Sequence, residues 1–76
     1  MSAVYDLPSY ASNPDHIDVF TSLHRAGRPV TAESVAELAW GHPDRPRALA
    51  VLSDLIYAQA VIPVTFADGV TAYRVR

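Results

Sequence analysis

The chain has 76 residues, of which 50% are hydrophobic and 18% are charged, so it can form one small domain and is too apolar for a disordered polypeptide. It contains no cysteine, which excludes disulfide bonds, thiolate metal sites and cysteine nucleophiles. No apolar run reaches the ~18 residues that a membrane span needs, and residues 1–12 lack the basic and apolar regions of a signal peptide, so we expect a cytoplasmic protein.

The formal net charge is −2, and the charges are unevenly distributed along the chain. Residues 1–40 carry two arginines against five carboxylates, whereas residues 41–76 carry four arginines against three carboxylates. There is no lysine, and a guanidinium group suits bidentate contacts with phosphate or carboxylate. The basic excess therefore lies in the second half of the chain, and high-GC coding DNA explains the missing lysine equally well.

Residues 1–13 show no sustained hydrophobic period and are predicted to form an N-terminal arm. Val4, Tyr5, Leu7 and Tyr10 give this arm enough apolar surface to pack on something. The arm could fold back on its own domain or contact a second subunit, and the sequence leaves both possibilities open.

The first predicted helix begins at Pro14 and ends before Gly27. Asn13 is a favourable N-cap, proline suits the first helical position, and glycine is the usual residue after a helix C-terminus. The predicted buried stripe consists of Ile17, Val19, Phe20, Leu23 and Ala26.

A short extended segment, residues 28–30, leads to the second predicted helix. Thr31 is its predicted N-cap, with Glu33 in the first turn, and Gly41 and Pro43 end it. Its predicted buried face consists of Val35, Leu38 and Ala39.

The third predicted helix runs from Arg45 to Tyr57, with Asp44 as its N-cap. Pro46 is compatible with this start because proline is tolerated in the first turn. Its apolar positions are Ala48, Leu49, Val51, Leu52, Leu55 and Ile56.

Residues 61–66 and 70–75 are predicted to form a β-hairpin around Asp68-Gly69, a strong hairpin signal. A four-residue loop, residues 67–70, is favoured over a two-residue turn because it keeps Pro63 at a non-hydrogen-bonded site on an edge strand. Either loop pairs Phe66 with Thr71, Val64 with Tyr73 and Ile62 with Val75. Those six side chains would share one face, and the other face would hold Pro63, Thr65, Ala72, Arg74 and Arg76.

This order of elements resembles a winged helix-turn-helix domain of the small bacterial or phage regulator type. Residues 28–39 (RPVTAESVAELA) are similar to its strand and second helix, and residues 47–62 (RALAVLSDLIYAQAVI) to its third helix running into the wing. The resemblance implies an α+β winged-helix domain over residues 14–76, with three helices, a short strand and a C-terminal hairpin wing.

The resemblance also implies a small DNA-binding transcriptional regulator with its third helix in the major groove. The outward positions of that helix would be Arg45, Arg47, Ala50, Ser53, Asp54 and Tyr57. Contacts with double-stranded DNA would come from Arg45, Arg47, Ser53, Tyr57, Arg74 and Arg76. A homodimer would double the four arginines to eight, which raises the affinity for phosphates.

The alternative interpretation is a winged-helix protein–protein interaction module without DNA binding: an adaptor, a small subunit of a larger assembly, or an inhibitor. The acidic total charge, the apolar third helix and Asp68 at the wing tip favour it. Trp40 and Tyr57 would be interface anchors together with the arm, although a core position under the turn is the competing interpretation of the tryptophan.

The sequence predicts neither an enzyme nor a metal or cofactor site. His16 and His24 are too far apart along one helix to share an ion, and His42 stands alone. Glu33 and Glu37 share a helical face, which we interpret as solvated. The sequence contains no nucleophile elbow and no glycine-rich phosphate loop.

Overall fold

The computed structural model describes residues 13–76 as three helices and one three-stranded antiparallel sheet, an α+β arrangement. In chain order the elements are α1 (Pro14–Ala26), β1 (Val30–Thr31), α2 (Ala32–Trp40), α3 (Arg45–Tyr57), β2 (Val61–Thr65) and β3 (Thr71–Val75). The predicted arm residues Val4, Tyr5, Leu7 and Tyr10 lie outside the described residues. None of these three helices has the length and apolar character needed to cross a lipid bilayer.

The three predicted helix N-caps are confirmed. In each case a side-chain oxygen accepts a hydrogen bond from a backbone N–H of the first turn, which would otherwise have no partner. The bonds are Asp15 N–H to Asn13 Oδ1 at 3.0 Å, Ser34 N–H to Thr31 Oγ1 at 3.2 Å, and Arg47 N–H to Asp44 Oδ1 at 3.3 Å.

The core lies where the three helices meet each other and the sheet. Its buried members include Val19, Leu23, Val35, Ala36, Ala48, Leu52, Leu55 and Val61. Burial of this apolar surface provides the main favourable free energy of folding. Since all three helices contribute to it, the core fixes which side of each helix faces solvent.

Two residues of the predicted buried stripes are exposed. Ile17 is 44% exposed and Leu38 is 58% exposed. The buried side of α1 instead includes His16, and that of α2 includes Ala32 and Ala36. The predicted members Val19, Leu23 and Val35 are buried as expected. Successive residues are rotated by about 100° around a helix, so interhelical packing turned the buried side only far enough to expose Ile17 and Leu38.

The predicted short strand and the predicted hairpin join into one sheet, in which β3 is central and Pro63 lies on the edge strand β2 as expected. The predicted register is wrong by one residue. The observed pairs include Val64 with Ala72 and Ile62 with Arg74, where Tyr73 and Val75 had been expected. The reason is a three-residue loop, whereas we had expected four residues and had considered two.

This loop spans residues 67–69. The Phe66 N–H donates to the Val70 carbonyl at 2.9 Å, and the Gly69 N–H donates to the Phe66 carbonyl at 2.9 Å. Gly69 has φ +88°, which is the left-handed residue that three-residue hairpin loops require. Changing the loop by one residue inverts the faces of one strand relative to the other, so Val61, Tyr73 and Val75 pack towards the helical core.

Candidate nucleic-acid interface

All six predicted outward positions of α3 are exposed in the structure. They lie on three different sides of the helix, however, and the charge differs from one side to the next. Arg45 faces α2, Arg47 and Asp54 face α1, and the remaining positions face solvent. The sequence pattern placed these residues together, and the structure separates them.

Arg45 is paired with a carboxylate of α2. Its Nε lies 2.9 Å from Glu33 Oε2, and the two side chains are 60% and 52% exposed. An exposed pair of this kind stabilises the fold little, but it neutralises the guanidinium charge locally. Glu33 was expected on a merely solvated face, so the sequence did not reveal this partner.

Arg47 is held more firmly, by contacts on two sides. Its Nε and Nη2 donate to the two carboxylate oxygens of Asp15 at 2.9 and 2.7 Å, the bidentate geometry that a guanidinium favours. Its Cζ also lies 4.0 Å from the centre of the Trp40 ring, at cation–π distance. The predicted DNA contact Arg47 therefore fastens α3 to α1 and α2.

The Asp15–Arg47 pair changes the titration of both groups. The hydrogen bonds from Arg47 lower the pKa of the Asp15 carboxyl, and Asp15 in turn raises the pKa of the Arg47 guanidinium. Both shifts favour the charged forms, so the pair is ionised throughout the neutral range.

Trp40 matches neither of its two predicted roles completely. The side chain is half-buried and packs against the core, while Arg47 covers one face of the ring. Its Nε1 is buried and has no hydrogen-bond partner among the described residues. Trp40 is therefore not a freely exposed interface anchor.

Asp54 is also engaged in a contact with α1. The Nε2 of the buried His16 lies 2.8 Å from Asp54 Oδ2. From the sequence, His16 had been considered only as a possible metal ligand, and no group of three metal-binding side chains occurs within residues 13–76. The pair was missed because its partners are separated by 38 positions in the sequence.

The solvent-facing stripe of α3 carries no charged side chain. It consists of Pro46, Ala50, Ser53 and Tyr57, which recur at intervals of four, three and four residues and are all exposed. Tyr57 is 91% exposed. The structure thus leaves on this stripe two of the predicted contact residues, Ser53 and Tyr57, without an arginine between them.

Two depressions lie between the helices and the hairpin, and α3 contributes residues to both. The first, of about 200 Å³, is mainly apolar and is lined by Leu49, Leu52, Ser53, Ile56 and Tyr73. The second, of about 350 Å³, lies between the hairpin loop and the start of α2, and Arg45 and Glu33 both line it. The concave side of the structure next to α3 is therefore apolar at one end and charge-balanced at the other.

Arg74 and Arg76 do not join Arg45 and Arg47. They lie with Arg25 and Arg28 at the end of α1, around two further depressions. Arg25 and Arg28 belong to the acidic half of the chain and were not among the predicted contacts. Their positions two residues before and one residue after the helix C-cap Gly27 were the available signal.

Comparisons with known proteins provide no relative for this chain. No protein-family model, no curated protein and no solved structure matches it.

Proposed function

We propose that the chain is a winged-helix domain that binds double-stranded DNA as a small transcriptional regulator. The observation that carries this proposal is the order of elements and the strand order β1-β3-β2, together with the exposed stripe of α3 formed by Pro46, Ala50, Ser53 and Tyr57. A helix presented in this way has the dimensions to enter a major groove. The function itself is argued by analogy with the fold that this arrangement resembles.

The test is fluorescence anisotropy with the full chain and a labelled duplex of about 20 base pairs at several salt concentrations. We expect binding at low salt that weakens as salt rises. Ala50→Glu should weaken it more than tenfold, because a carboxylate on the exposed stripe of α3 would face phosphates. Ser34→Glu, which adds the same charge at an exposed position of α2, is the control.

An absence of binding by the unaltered chain at low salt would contradict this proposal. Equal weakening by Ala50→Glu and Ser34→Glu would contradict the role of α3, because the effect would then reflect net charge alone.

A second candidate is a winged-helix protein-interaction module without DNA binding. The specific observation that favours it is the uncharged stripe of α3 with the exposed Tyr57 ring, since exposed aromatic side chains are frequent anchors in protein interfaces. A homodimer through this stripe would be lost on Tyr57→Ser substitution. Light scattering should then show a fall from a two-chain to a one-chain mass, with Ala50→Ser as the control.

A one-chain mass for the unaltered protein at all concentrations, combined with salt-dependent DNA binding, would contradict the second candidate.

A further inference from the structure

Four of the six arginines of the chain surround the end of α1; they form two pairs that are far apart in the sequence but adjacent in the fold. Arg28 and Arg74 line a depression of about 180 Å³, and Arg25 and Arg76 line a neighbouring depression of about 540 Å³. His24 and Val75 belong to both depressions, so the two adjoin each other. We call the surface formed by His24, Arg25, Arg28, Arg74 and Arg76 the α1-end surface.

The charges of this surface are available to a ligand. All five side chains belong to exposed residues, and neither depression has an aspartate or glutamate in its lining. Within residues 13–76, no ion pair involves any of the four arginines. The guanidinium of Arg74 donates to the Val75 carbonyl at 3.3 Å, a contact that leaves its positive charge uncompensated.

The helix dipole accounts for only part of this cluster. His24 and Arg25 lie in the last turn of α1, where cations are favoured. Arg28 follows the helix, and Arg74 and Arg76 come from the end of the sheet, so their presence at the same place has no such local cause. The rest of the chain carries eight carboxylates and two arginines, which makes this end the cationic pole of an otherwise acidic molecule.

We infer that the α1-end surface binds the phosphate backbone of double-stranded nucleic acid and provides most of the electrostatic attraction in the proposed DNA binding. Guanidinium groups match phosphate geometry, and a cationic pole on an acidic body orients the molecule as it approaches a polyanion. The surface offers arginines at two adjoining depressions rather than a pocket for one small anion. The inference rests on the proposed function, and it assigns the backbone contacts to this surface instead of to the head of α3.

The affinity of the chain for duplex DNA should fall as the salt concentration rises, and the slope of log affinity against log salt should reflect the number of arginines that contact phosphates. A slope of roughly −3.6 in log affinity against log salt follows from about 0.9 per neutralised phosphate. Arg25→Gln/Arg76→Gln should flatten the slope by roughly 1.8 and weaken binding by roughly tenfold to a hundredfold at 0.1 M salt. Arg45→Gln/Arg47→Gln also removes two positive charges, but these two are already paired with carboxylates. It should therefore flatten the slope by less than half as much as Arg25→Gln/Arg76→Gln does.

Circular dichroism establishes whether each variant is folded, and Arg28→Gln/Arg74→Gln repeats the test with the other two arginines of the surface. Equal losses from all the double variants, or a larger loss from Arg45→Gln/Arg47→Gln, would overturn the inference while leaving DNA binding itself intact. No binding by the unaltered chain would overturn the proposed function as well, so the two failures are distinguishable.

A competition experiment tests whether the α1-end surface prefers phosphate ligands to carboxylate ligands. Polyglutamate at the same concentration of charges should displace little of the labelled duplex. Displacement equal to that by unlabelled DNA would mean that the surface recognises an acidic polypeptide, and it would overturn the inference.

Discussion

The head of α3 and the end of α1 both carry arginines, but only one of these regions leaves them unpaired. At the head of α3, Arg45 and Arg47 lie within 3 Å of carboxylates of α2 and α1. At the end of α1, four arginines line two depressions that have no aspartate or glutamate in their lining. The difference shows that the number of cations on an element does not measure the charge it offers to a ligand.

The two regions also differ in what their side chains do for the fold. Near α3, His16 and Asp15 connect α1 to Asp54 and Arg47, so the polar groups there link elements. At the end of α1, the exposed His24 ring stacks on Phe20 of the same helix, with ring centres 6.4 Å apart, and so links no two elements. We therefore expect substitutions in the first region to change stability and substitutions in the second to change binding.

The largest expected effect is on stability, from His16→Ala compared with His24→Ala. His16 is buried and hydrogen-bonded to Asp54, so its removal leaves a cavity between α1 and α3 and should lower the free energy of unfolding by about 2 kcal/mol. His24 is exposed on the same helix, and its removal should cost about 0.5 kcal/mol or less. Urea denaturation measures both, and equal losses would contradict the distinction between the regions.

The next largest effect is on DNA binding, and it is expected when an arginine loses its carboxylate partner. Glu33→Gln frees Arg45 beside the hairpin loop, which should steepen the salt slope by up to about 0.9 and raise DNA affinity severalfold at 0.1 M salt. Glu37→Gln removes the same charge from α2, but Glu37 makes no ion pair within residues 13–76. The same gain from both variants would show that pairing does not limit the charge at the head of α3.

A smaller effect, on the free energy of unfolding, is expected from substitutions at the residues that end α1 and α3. Gly27 ends α1 with φ +65°, and Gln59 has φ +65° just after α3, where glycine would be favoured. Gln59→Gly should raise the free energy of unfolding by about 0.5 to 1 kcal/mol, whereas Gly27→Ala should lower it by about 1 kcal/mol. A Cβ on Gly27 would meet nothing within 4 Å, so the loss would come from the backbone conformation alone.

Thermal unfolding followed by circular dichroism measures both changes. Destabilisation by Gln59→Gly would show that the Gln59 side chain makes a contribution larger than its backbone strain.

The smallest expected effect is the acid sensitivity of the Asp15–Arg47 pair. Because the pKa of Asp15 is lowered in the folded state, the pair stabilises the protein above the ordinary aspartate value of 3.8, and this contribution is lost as the pH falls through the lowered pKa. Asp15→Asn should be less stable than the unaltered protein at neutral pH, and the difference should shrink in acid. Denaturation of both proteins at neutral pH and near pH 2 measures it, and a difference independent of pH would exclude a contribution from the charge.

Much of the local structure could be predicted because its causes lie within a few residues. Asn13, Thr31 and Asp44 were predicted as N-caps and are confirmed, and α3 has the predicted bounds Arg45–Tyr57. A cap bonds to a backbone N–H only two or three residues away, so the sequence alone contains both partners.

The hairpin marks the limit of this local reasoning. Asp68-Gly69 correctly indicated a turn, but turns of two, three and four residues all fit the same dipeptide. The choice of three residues shifted the register by one and placed Val61, rather than Ile62, in the core. The packing of the sheet against the helices distinguishes these registers, because each one buries different side chains.

The sequence by itself determined where the helices begin and end and where the chain turns, since these depend on hydrogen bonds between near neighbours. Only the tertiary structure decided which arginines are paired, because Asp15 and Arg47 are 32 positions apart and meet only after α1 packs on α3. It likewise brought Arg25 and Arg76 to one surface, although the charge pattern had assigned them to opposite halves of the chain. Coulomb interactions depend on distance in space and on exposure to solvent, and neither quantity exists until the chain has folded.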